Sequence, residues 1–126
     1  MSSPTSRSLE YWRGIGSLAG VVERFNSFSK TRHDLFLFCD IVAINALWGN
    51  AVFIQTTSGQ NIQARIKKIQ DTPEIAANVK RVLGAGNTVI VEGWAKRTKA
   101  GRTVRYERVA YRCEMDGDKL KFVEGA

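Results

Sequence analysis

Residues 34–68 read DLFLFCDIVAINALWGNAVFIQTTSGQNIQARIKK, a stretch that predicts two apolar strands, a polar turn and a basic helix. If the loop between the strands begins after Ile44 and ends before Ala51, opposed residues of the antiparallel hairpin have numbers that sum to 95. Asp40 then lies opposite Gln55. Because side chains alternate along a strand, both point to the same face of the hairpin.

A carboxylate and an amide therefore meet inside strands that are otherwise apolar. Burying an unpaired carboxylate costs roughly several kcal/mol, so Asp40 needs a partner. A metal ion held by Asp40 and Gln55 is one explanation. A direct hydrogen bond between the two side chains, without any ligand, is the other.

The composition predicts one domain that binds a polyanion. With 126 residues, of which 44% are hydrophobic, the chain can form a single core over residues 1–126, and we expect residues 1–6 to be disordered. Lys and Arg outnumber Asp and Glu by 19 to 12, which gives a net charge of +7 and favours nucleic acid as the partner. The alternative is that the basic charge serves solubility alone.

The cysteines and the N-terminus indicate a cytoplasmic protein. Cys39 and Cys113 lie in apolar strand patterns without CxxC spacing, which is typical of buried thiols in a reducing compartment. The first residues, MSSPTSRS, contain no apolar signal segment, and no apolar run reaches the length of a membrane span. We therefore expect no contact with membranes.

Helical and strand patterns alternate on both sides of the hairpin. A short helix starts near Pro4 and carries Glu10, and a strand with the sequence VVERFNSF follows Gly20. Residues 88–94 and 104–113 are the remaining long strands. This order predicts an α/β sandwich, with helices on the faces of a mixed sheet and the hairpin at its centre.

Two helices follow the hairpin. The first has an apolar stripe of isoleucines spaced i, i+4, i+7, at positions 62, 66 and 69, and beside it a polar stripe formed by Asn61, Arg65 and Lys68. The second helix starts at Pro73. We expect the isoleucine stripe to pack on the sheet.

Residues 96–102, KRTKAGR, predict a basic hairpin turn between the last long strands. We expect its cations to bind phosphates, namely Lys96, Arg97, Lys99 and Arg102. The alternative is a solvated turn without a partner, because exposed turns collect charge whatever they bind.

These motifs resemble the PD-(D/E)xK nuclease superfamily, the fold of restriction endonucleases and Holliday-junction resolvases. That superfamily has a glutamate on the first helix, an aspartate on the second strand and an (E/Q)xK tripeptide on the third. Glu10, Asp40 and Gln55-Thr56-Thr57 occur here in that order. The segments RHDLFLFCD, IQTTSGQNIQARIKKI and EGW are similar to small, often phage-encoded members. The resemblance covers most of the chain and implies a restriction-endonuclease-like αβββαβ core.

The resemblance implies metal-dependent hydrolysis of phosphodiester bonds in nucleic acid, with DNA as the expected substrate, branched or recombination structures included. Asp40, Gln55 and the Thr56 carbonyl would hold Mg²⁺ or Mn²⁺, and Glu10 would supply a further carboxylate. The protein would act in the cytoplasm, which is the host cytoplasm if a phage encodes it.

The chain departs from the superfamily at the lysine. That position holds Thr57, which carries no charge, and Lys68 on the following helix is the candidate replacement. Asn61 and Arg65 on the same stripe would bind the nucleic acid, because a planar guanidinium suits a phosphate.

Two other function classes stay open, and so does the oligomeric state. The chain could be a nucleic-acid-binding module that keeps the nuclease scaffold without the catalytic lysine. It could instead bind another protein, for instance as a phage inhibitor of a host factor, with an incidental basic charge. An apolar hairpin tip around Trp48 would also suit a homodimer contact.

Overall fold

Three helices pack against the two faces of a mixed β-sheet. The structure, a computed structural model, describes residues 3–125, apart from the side chain of Val104. Helix α1 (Pro4–Gly14) covers one face, and α2 (Ile62–Asp71) and α3 (Pro73–Gly84) cover the other. This arrangement confirms the expected α/β class. No helix in this range has both the length and the apolar composition needed to span a membrane.

Within residues 3–125, six strands form the sheet, and two more form a separate antiparallel ribbon. The strands are β1 (Leu18–Val21), β2 (Arg24–Asn26), β3 (Thr31–His33), β4 (Ile41–Ile44), β5 (Ala51–Ser58), β6 (Thr88–Lys99), β7 (Arg102–Asp116) and β8 (Lys119–Glu124). The sheet order is β1-β4-β5-β6-β7-β8, and β2 pairs with β3 in the ribbon. Strands β5 and β6 run parallel, connected through α2 and α3, whereas the other neighbouring strands of this sheet are antiparallel. The hairpin β4–β5 thus contributes one of the two central strands.

The hairpin has the predicted register. Ile41 pairs with Ile54 and Ile44 with Ala51, so the opposed numbers sum to 95 as expected. Beyond Ile41 the pairing shifts by one residue, because the Asp40 N–H donates to the carbonyl of Ile54, at 2.8 Å, and not to that of Gln55.

The first strand of the hairpin is shorter than predicted. Residues 34–40 form a turn instead of continuing the strand, and Phe36 and Leu37 have positive φ values of 55° and 72°. The backbone N–H groups of Leu35 and Cys39 each donate to the carbonyl of the other residue, which closes the turn. The alternation predicted for this segment is therefore wrong: Phe38 is fully buried, while Phe36 and Leu37 are each half exposed.

Three other boundaries also differ from the prediction. Helix α1 already includes residues 4–6, which were expected to be disordered, because Ser3 Oγ accepts from the Ser6 N–H and caps the helix; residues 1 and 2 lie outside the described residues. The strand expected to follow Gly20 is interrupted at residues 22–23. The basic turn is confined to Ala100 and Gly101, both with positive φ, so Lys96–Lys99 extend β6.

A separate core lies on each face of the sheet. On the α1 face, Trp12 packs with Ile41, Ile54 and Ile90. On the opposite face the isoleucine stripe of α2 packs as predicted, together with residues of α3, β6 and the 34–40 turn, including Phe38, Val79 and Val91. Both cores use alternate residues of the same central strands, which holds the ends of those strands in place between the layers.

The tip of the β4–β5 hairpin is only partly available for a dimer contact. Trp48 is half-buried and its ring lies 5.6 Å from that of Trp12, between centroids. Leu47, next to it, is 92% exposed. The homodimer stays a prediction.

The end of β5 joins α2 through a tight 3-10 turn, Gly59–Asn61. A Cβ at Gly59 would lie 2.6 Å from the Cα of Ala95 on β6, well inside van der Waals contact. Backbone cannot yield as a flexible side chain can, so only glycine lets the turn approach β6 this closely. The start of α2 is thereby held beside the ends of the two central strands.

We expect Gly59→Ala to destabilise the protein by about 1–3 kcal/mol, because the added methyl group forces the turn away from β6. Urea unfolding measures the change. Gly84→Ala is the matched control, since a Cβ there meets nothing within 4 Å, and it should be neutral or slightly stabilising. Equal stability of the two variants would contradict the close packing described.

Candidate functional site

A cleft of about 570 Å³ opens where β5 ends. Its walls come from the start of α1, the end of β5, the polar stripe of α2 and the base of the β2–β3 ribbon. Six residues singled out from the sequence line it together: Asp40, Gln55, Thr56, Asn61, Arg65 and Lys68. Three charged lining residues were not assigned to a site: Glu23, Arg32 and Asp34.

Asp40 is held by the strand that it faces. Its Oδ2 accepts from Gln55 Nε2 at 2.9 Å, from the Thr56 N–H at 2.8 Å and from Thr56 Oγ1 at 3.1 Å. The predicted meeting of Asp40 and Gln55 is therefore confirmed, although Asp40 lies in the 34–40 turn, directly before β4, and not within the strand. Since Gln55 donates through its nitrogen, its Oε1 is the atom that it can offer to a cation. The Thr56 carbonyl as a metal ligand stays a prediction.

An acidic cluster surrounds the other side of Asp40. Glu23, Asp34 and Asp40 each place one carboxylate oxygen within 4.8 Å of the others. Glu23 is half-buried with a side-chain exposure of 16%, and Asp34 is also half-buried, so the cluster is partly shielded from solvent.

Two strand registers bring the cluster together. In the ribbon, Arg24 pairs with His33, and one further step of that register places Glu23 opposite Asp34. In the sheet, Val21 pairs with Ile41, and the Val22 N–H donates to the Asp40 carbonyl. Val22 thus lies opposite Asp40, and Glu23 is the next residue along the chain.

The sequence analysis missed Glu23 because it placed this residue inside one strand, VVERFNSF, and did not anticipate a hairpin within residues 24–33. The signal present was a short hairpin, residues 24–33, with an acidic residue immediately before and after it and with Asn26 at its turn. An acidic residue at each end of a hairpin lies at the base of the ladder, where the two carboxylates are neighbours.

The cluster raises the pKa of Asp40 to about 7, first because the carboxyl group is buried and next because it shares a hydrogen bond with Asp34. The hydrogen bond from the Thr56 N–H lowers the pKa of Asp40, but burial and Asp34 raise it by more. Three close carboxylates repel one another when ionised, so either a proton or a cation must offset their charge. Hard carboxylate oxygens, with the Gln55 amide oxygen beside them, are the donor set that Mg²⁺ and Mn²⁺ prefer. The residues present therefore fit a divalent cation.

Cationic side chains face the acidic cluster across the cleft. Arg65 is half-buried and Lys68 exposed, both on the polar stripe of α2, which is turned toward the strand ends as predicted. Arg32 of the ribbon contacts Glu23, with 3.2 Å from Nη1 to Oε1. An anion bound in the cleft would thus lie between a cation-binding cluster and these side chains.

Glu10 does not belong to the cleft, so its predicted place beside Asp40 is wrong. It is exposed on the outer side of α1, in a separate hollow lined by Arg7, Tyr11 and Trp94. The reason is the rotation of α1: Ser8 and Trp12 are fully buried, and Glu10, two residues from each, points to the opposite side of the helix, about 160° away. The helix instead contributes Thr5, whose Oγ1 lies 3.0 Å from Thr56 Oγ1.

A second, basic cleft of about 670 Å³ adjoins the first and shares Pro4 and Ser58 with it. Of the four cations expected to bind phosphates, Lys96 and Arg97 line this cleft, together with Arg7. The other two, Lys99 and Arg102, pair at the exposed end of the β6–β7 hairpin. Arg97 also forms an ion pair with Glu107, with 3.0 Å between Nε and Oε2.

Comparison of the chain with protein-family models, with curated proteins and with solved structures finds no match. The superfamily resemblance of the motifs therefore remains a hypothesis. What the site can do follows from its own side chains and distances.

We expect Asp40→Asn to stabilise the protein at neutral to alkaline pH in the absence of metal. The folded pKa of Asp40, about 7, lies above the ordinary 3.8, so the protonated carboxyl group contributes stability that is complete below pH 3.8 and is lost as the pH rises through about 7. Asparagine mimics the protonated form, because it can accept from Gln55 and Thr56 and still donate to Asp34. Its advantage over wild type should grow by about 2–3 kcal/mol between about pH 5 and about pH 8.

Urea unfolding in EDTA across this pH range measures the difference. Asp118→Asn, in the exposed turn before β8, is the control and should show no such trend. A difference between Asp40→Asn and wild type that does not change with pH would contradict the shared proton.

Proposed function

We propose that this protein hydrolyses phosphodiester bonds of nucleic acid with the help of a divalent metal ion. The observation that carries the proposal is the cleft at the end of β5, where three carboxylates lie opposite Arg65 and Lys68. A phosphodiester is an anion that a metal ion and a cationic side chain can bind from two sides, which is the arrangement that phosphoryl chemistry needs.

Asp40, Asp34 and Glu23, joined by the Gln55 amide oxygen, would hold Mg²⁺ or Mn²⁺. When bound, the metal ion supplies an activated water and offsets the charge that develops on the phosphate. The three hydrogen bonds on Asp40 Oδ2 orient that carboxylate and leave its other oxygen for the cation. In this assignment Glu23 and Asp34 replace Glu10 of the sequence prediction.

Arg65 and Lys68 have different tasks. Arg65 is the more buried, and its planar fork suits two oxygens of the scissile phosphate. Lys68 supplies the mobile charge that the superfamily has at the position of Thr57, which is buried and neutral here. A lysine on the neighbouring helix can stabilise the same transition state if its ammonium group reaches the cleft. Lys68 meets this condition, because it lines the cleft.

The second cleft gives the nucleic acid a path. It continues from the first past Pro4 and Ser58 and presents Arg7, Lys96 and Arg97. A nucleic-acid backbone with its scissile phosphate beside Arg65 can therefore extend over a surface that is also positively charged. The net charge of +7 favours association along this path.

The order of the elements supports a restriction-endonuclease-like core. Leaving the ribbon aside, α1, β1, β4, β5, the α2–α3 pair and β6 follow one another as αβββαβ. The β4–β5 hairpin is antiparallel and β5–β6 is parallel, which is consistent with the mixed sheet that the resemblance implies.

The neutral Thr57 favours a second candidate, a nucleic-acid-binding module that no longer cleaves. Such a module would bind through the same basic cleft. Its binding would not depend on the acidic cluster, and this dependence separates the two candidates.

We expect Mg²⁺- or Mn²⁺-dependent cleavage of nucleic acid that Asp40→Asn abolishes and EDTA stops. The assay compares linear duplex, single-stranded and four-way-junction DNA with single-stranded RNA, because the cleft does not distinguish them by itself. Lys68→Ala should slow cleavage by about 100-fold while affinity changes little, since a charge used mainly in the transition state affects turnover more than binding.

Lys67→Ala is the matched control for Lys68→Ala. Lys67 is exposed on the same helix but does not line the cleft, so its loss should leave the rate unchanged. Cleavage by Lys68→Ala at the wild-type rate would remove Lys68 from the mechanism. Binding without cleavage of any substrate, unaffected by Asp40→Asn, would support the non-catalytic module.

The cations of β6, in the basic cleft and beyond it, predict a salt dependence of nucleic-acid binding. Replacing Lys96, Arg97 and Lys99 together by alanine should weaken binding regardless of sequence and flatten the slope of log affinity against log salt by up to about 0.9 for each lost contact. The triple variant of Lys67, Lys119 and Lys121 removes the same charge from exposed positions outside both clefts and is the control. An equal slope change in the two variants would assign the effect to net charge alone.

A further inference from the structure

The β2–β3 ribbon projects from the protein without a core of its own. Every residue of both strands is exposed. Its turn is nevertheless ordered by hydrogen bonds, because Asn26 Oδ1 accepts from the N–H groups of Phe28 and Ser29. This turn carries Phe28 with 98% of its surface exposed. The ribbon therefore presents an aromatic ring at a defined position in solvent.

The ribbon is also continuous with the acidic cluster. Phe25 and Arg32 are directly opposed, so they share a face. Each lies two residues from Glu23 or Asp34, which puts the pair on the face that carries these carboxylates. Arg32 lines the cleft as well. One face of the ribbon thus leads from the carboxylates, past an aromatic and cationic pair, toward the tip.

The charge of the ribbon has one sign. Residues 24–33 contain Arg24, Lys30 and Arg32 and no acidic residue. Among residues 3–125, Arg24 and Lys30 form no ion pair with a carboxylate. Because no core constrains these side chains, their composition reflects no packing requirement. Aromatic rings interspersed with cations are typical of surfaces that bind single strands, where bases stack on the rings and phosphates meet the cations.

We propose that the β2–β3 ribbon binds unpaired nucleic acid, with a base stacked on Phe28 and adjacent phosphates on Lys30 and Arg32. In a duplex both faces of each base are covered by its neighbours, so the ring finds a partner only where bases are unpaired. The inference rests on the proposed nuclease function and gives it a substrate class: nucleic acid with a single-stranded segment next to the scissile phosphate.

The test measures binding by fluorescence anisotropy in EDTA, with every protein carrying Asp40→Asn so that nothing is cleaved. The probes are a single-stranded oligonucleotide and the fully paired duplex of the same sequence. Phe28→Ala should weaken single-strand binding by about tenfold and leave duplex binding nearly unchanged. Phe28→Trp, which keeps an aromatic ring, should bind the single strand as well as Phe28 does. Leu47→Ala is the control, because Leu47 is 92% exposed on a different loop. Melting temperatures check that all variants are folded.

The inference would be overturned if Phe28→Ala and Leu47→Ala bound the single strand with equal affinity. It would also be overturned if Phe28→Ala lost as much affinity for the duplex as for the single strand. The first result would leave the ring free for a protein partner. Failure of the nuclease proposal appears separately: wild type would then cleave none of the substrates with Mg²⁺ or Mn²⁺, whatever Phe28 does to binding. A selective single-strand loss without cleavage would support the ribbon as part of a binding module.

Discussion

One carboxylate oxygen, Asp40 Oδ2, connects the parts of this structure on which the candidate site depends. It accepts three hydrogen bonds from consecutive residues of β5, while the Asp40 backbone pairs with both β5 and the segment after β1. Hydrogen bonds to an ionised acceptor are stronger than those between neutral groups. They fix the end of β5 relative to the 34–40 turn and direct the second carboxylate oxygen toward Glu23 and Asp34. This anchor places Asp40 beside Glu23 and Asp34, in the cleft that the polar stripe of α2 also lines.

A second buried carboxylate shows why Asp40 is different. Glu92 is fully buried on the α1 face of the sheet, where it accepts from Trp12 Nε1 and from Arg108 Nε. The Arg108 guanidinium lies in turn over the ring of Tyr11. The fold therefore supplies Glu92 with a cation of its own. Asp40 has Asp34 and Glu23 as its charged neighbours instead, and of these three carboxylates Glu23 is the one that contacts a cation, Arg32, among the described residues.

The two faces of the sheet have different roles. The α1 face is closed by aromatic packing and the Glu92–Arg108 pair, and it holds α1 in one rotation. The opposite face carries α2, whose isoleucines point inward while Arg65 and Lys68 remain at the cleft. The tight turn at Gly59 sets the distance between these cations and the strand ends. A rigid scaffold of this kind positions polar groups more accurately than loops can.

The sequence by itself determined the α/β class, the β4–β5 register, the apolar stripe of α2 and the meeting of Asp40 with Gln55. These features are local: a short loop sets a hairpin register, and the period of 3.6 residues sets the faces of a helix. The sequence did not show that residues 34–40 form a turn instead of a strand. An apolar run has the same pattern whether it pairs in a sheet or folds inward as a buried turn.

Only the tertiary structure decided which acidic residues accompany Asp40. Glu10 is excluded because Trp12 fixes the rotation of α1, and that rotation depends on a pocket built by distant strands. Glu23 and Asp34 are included because two separate ladders, β1–β4 and β2–β3, end beside each other. Such proximity between residues of different elements arises from packing in three dimensions, which no period along the chain encodes.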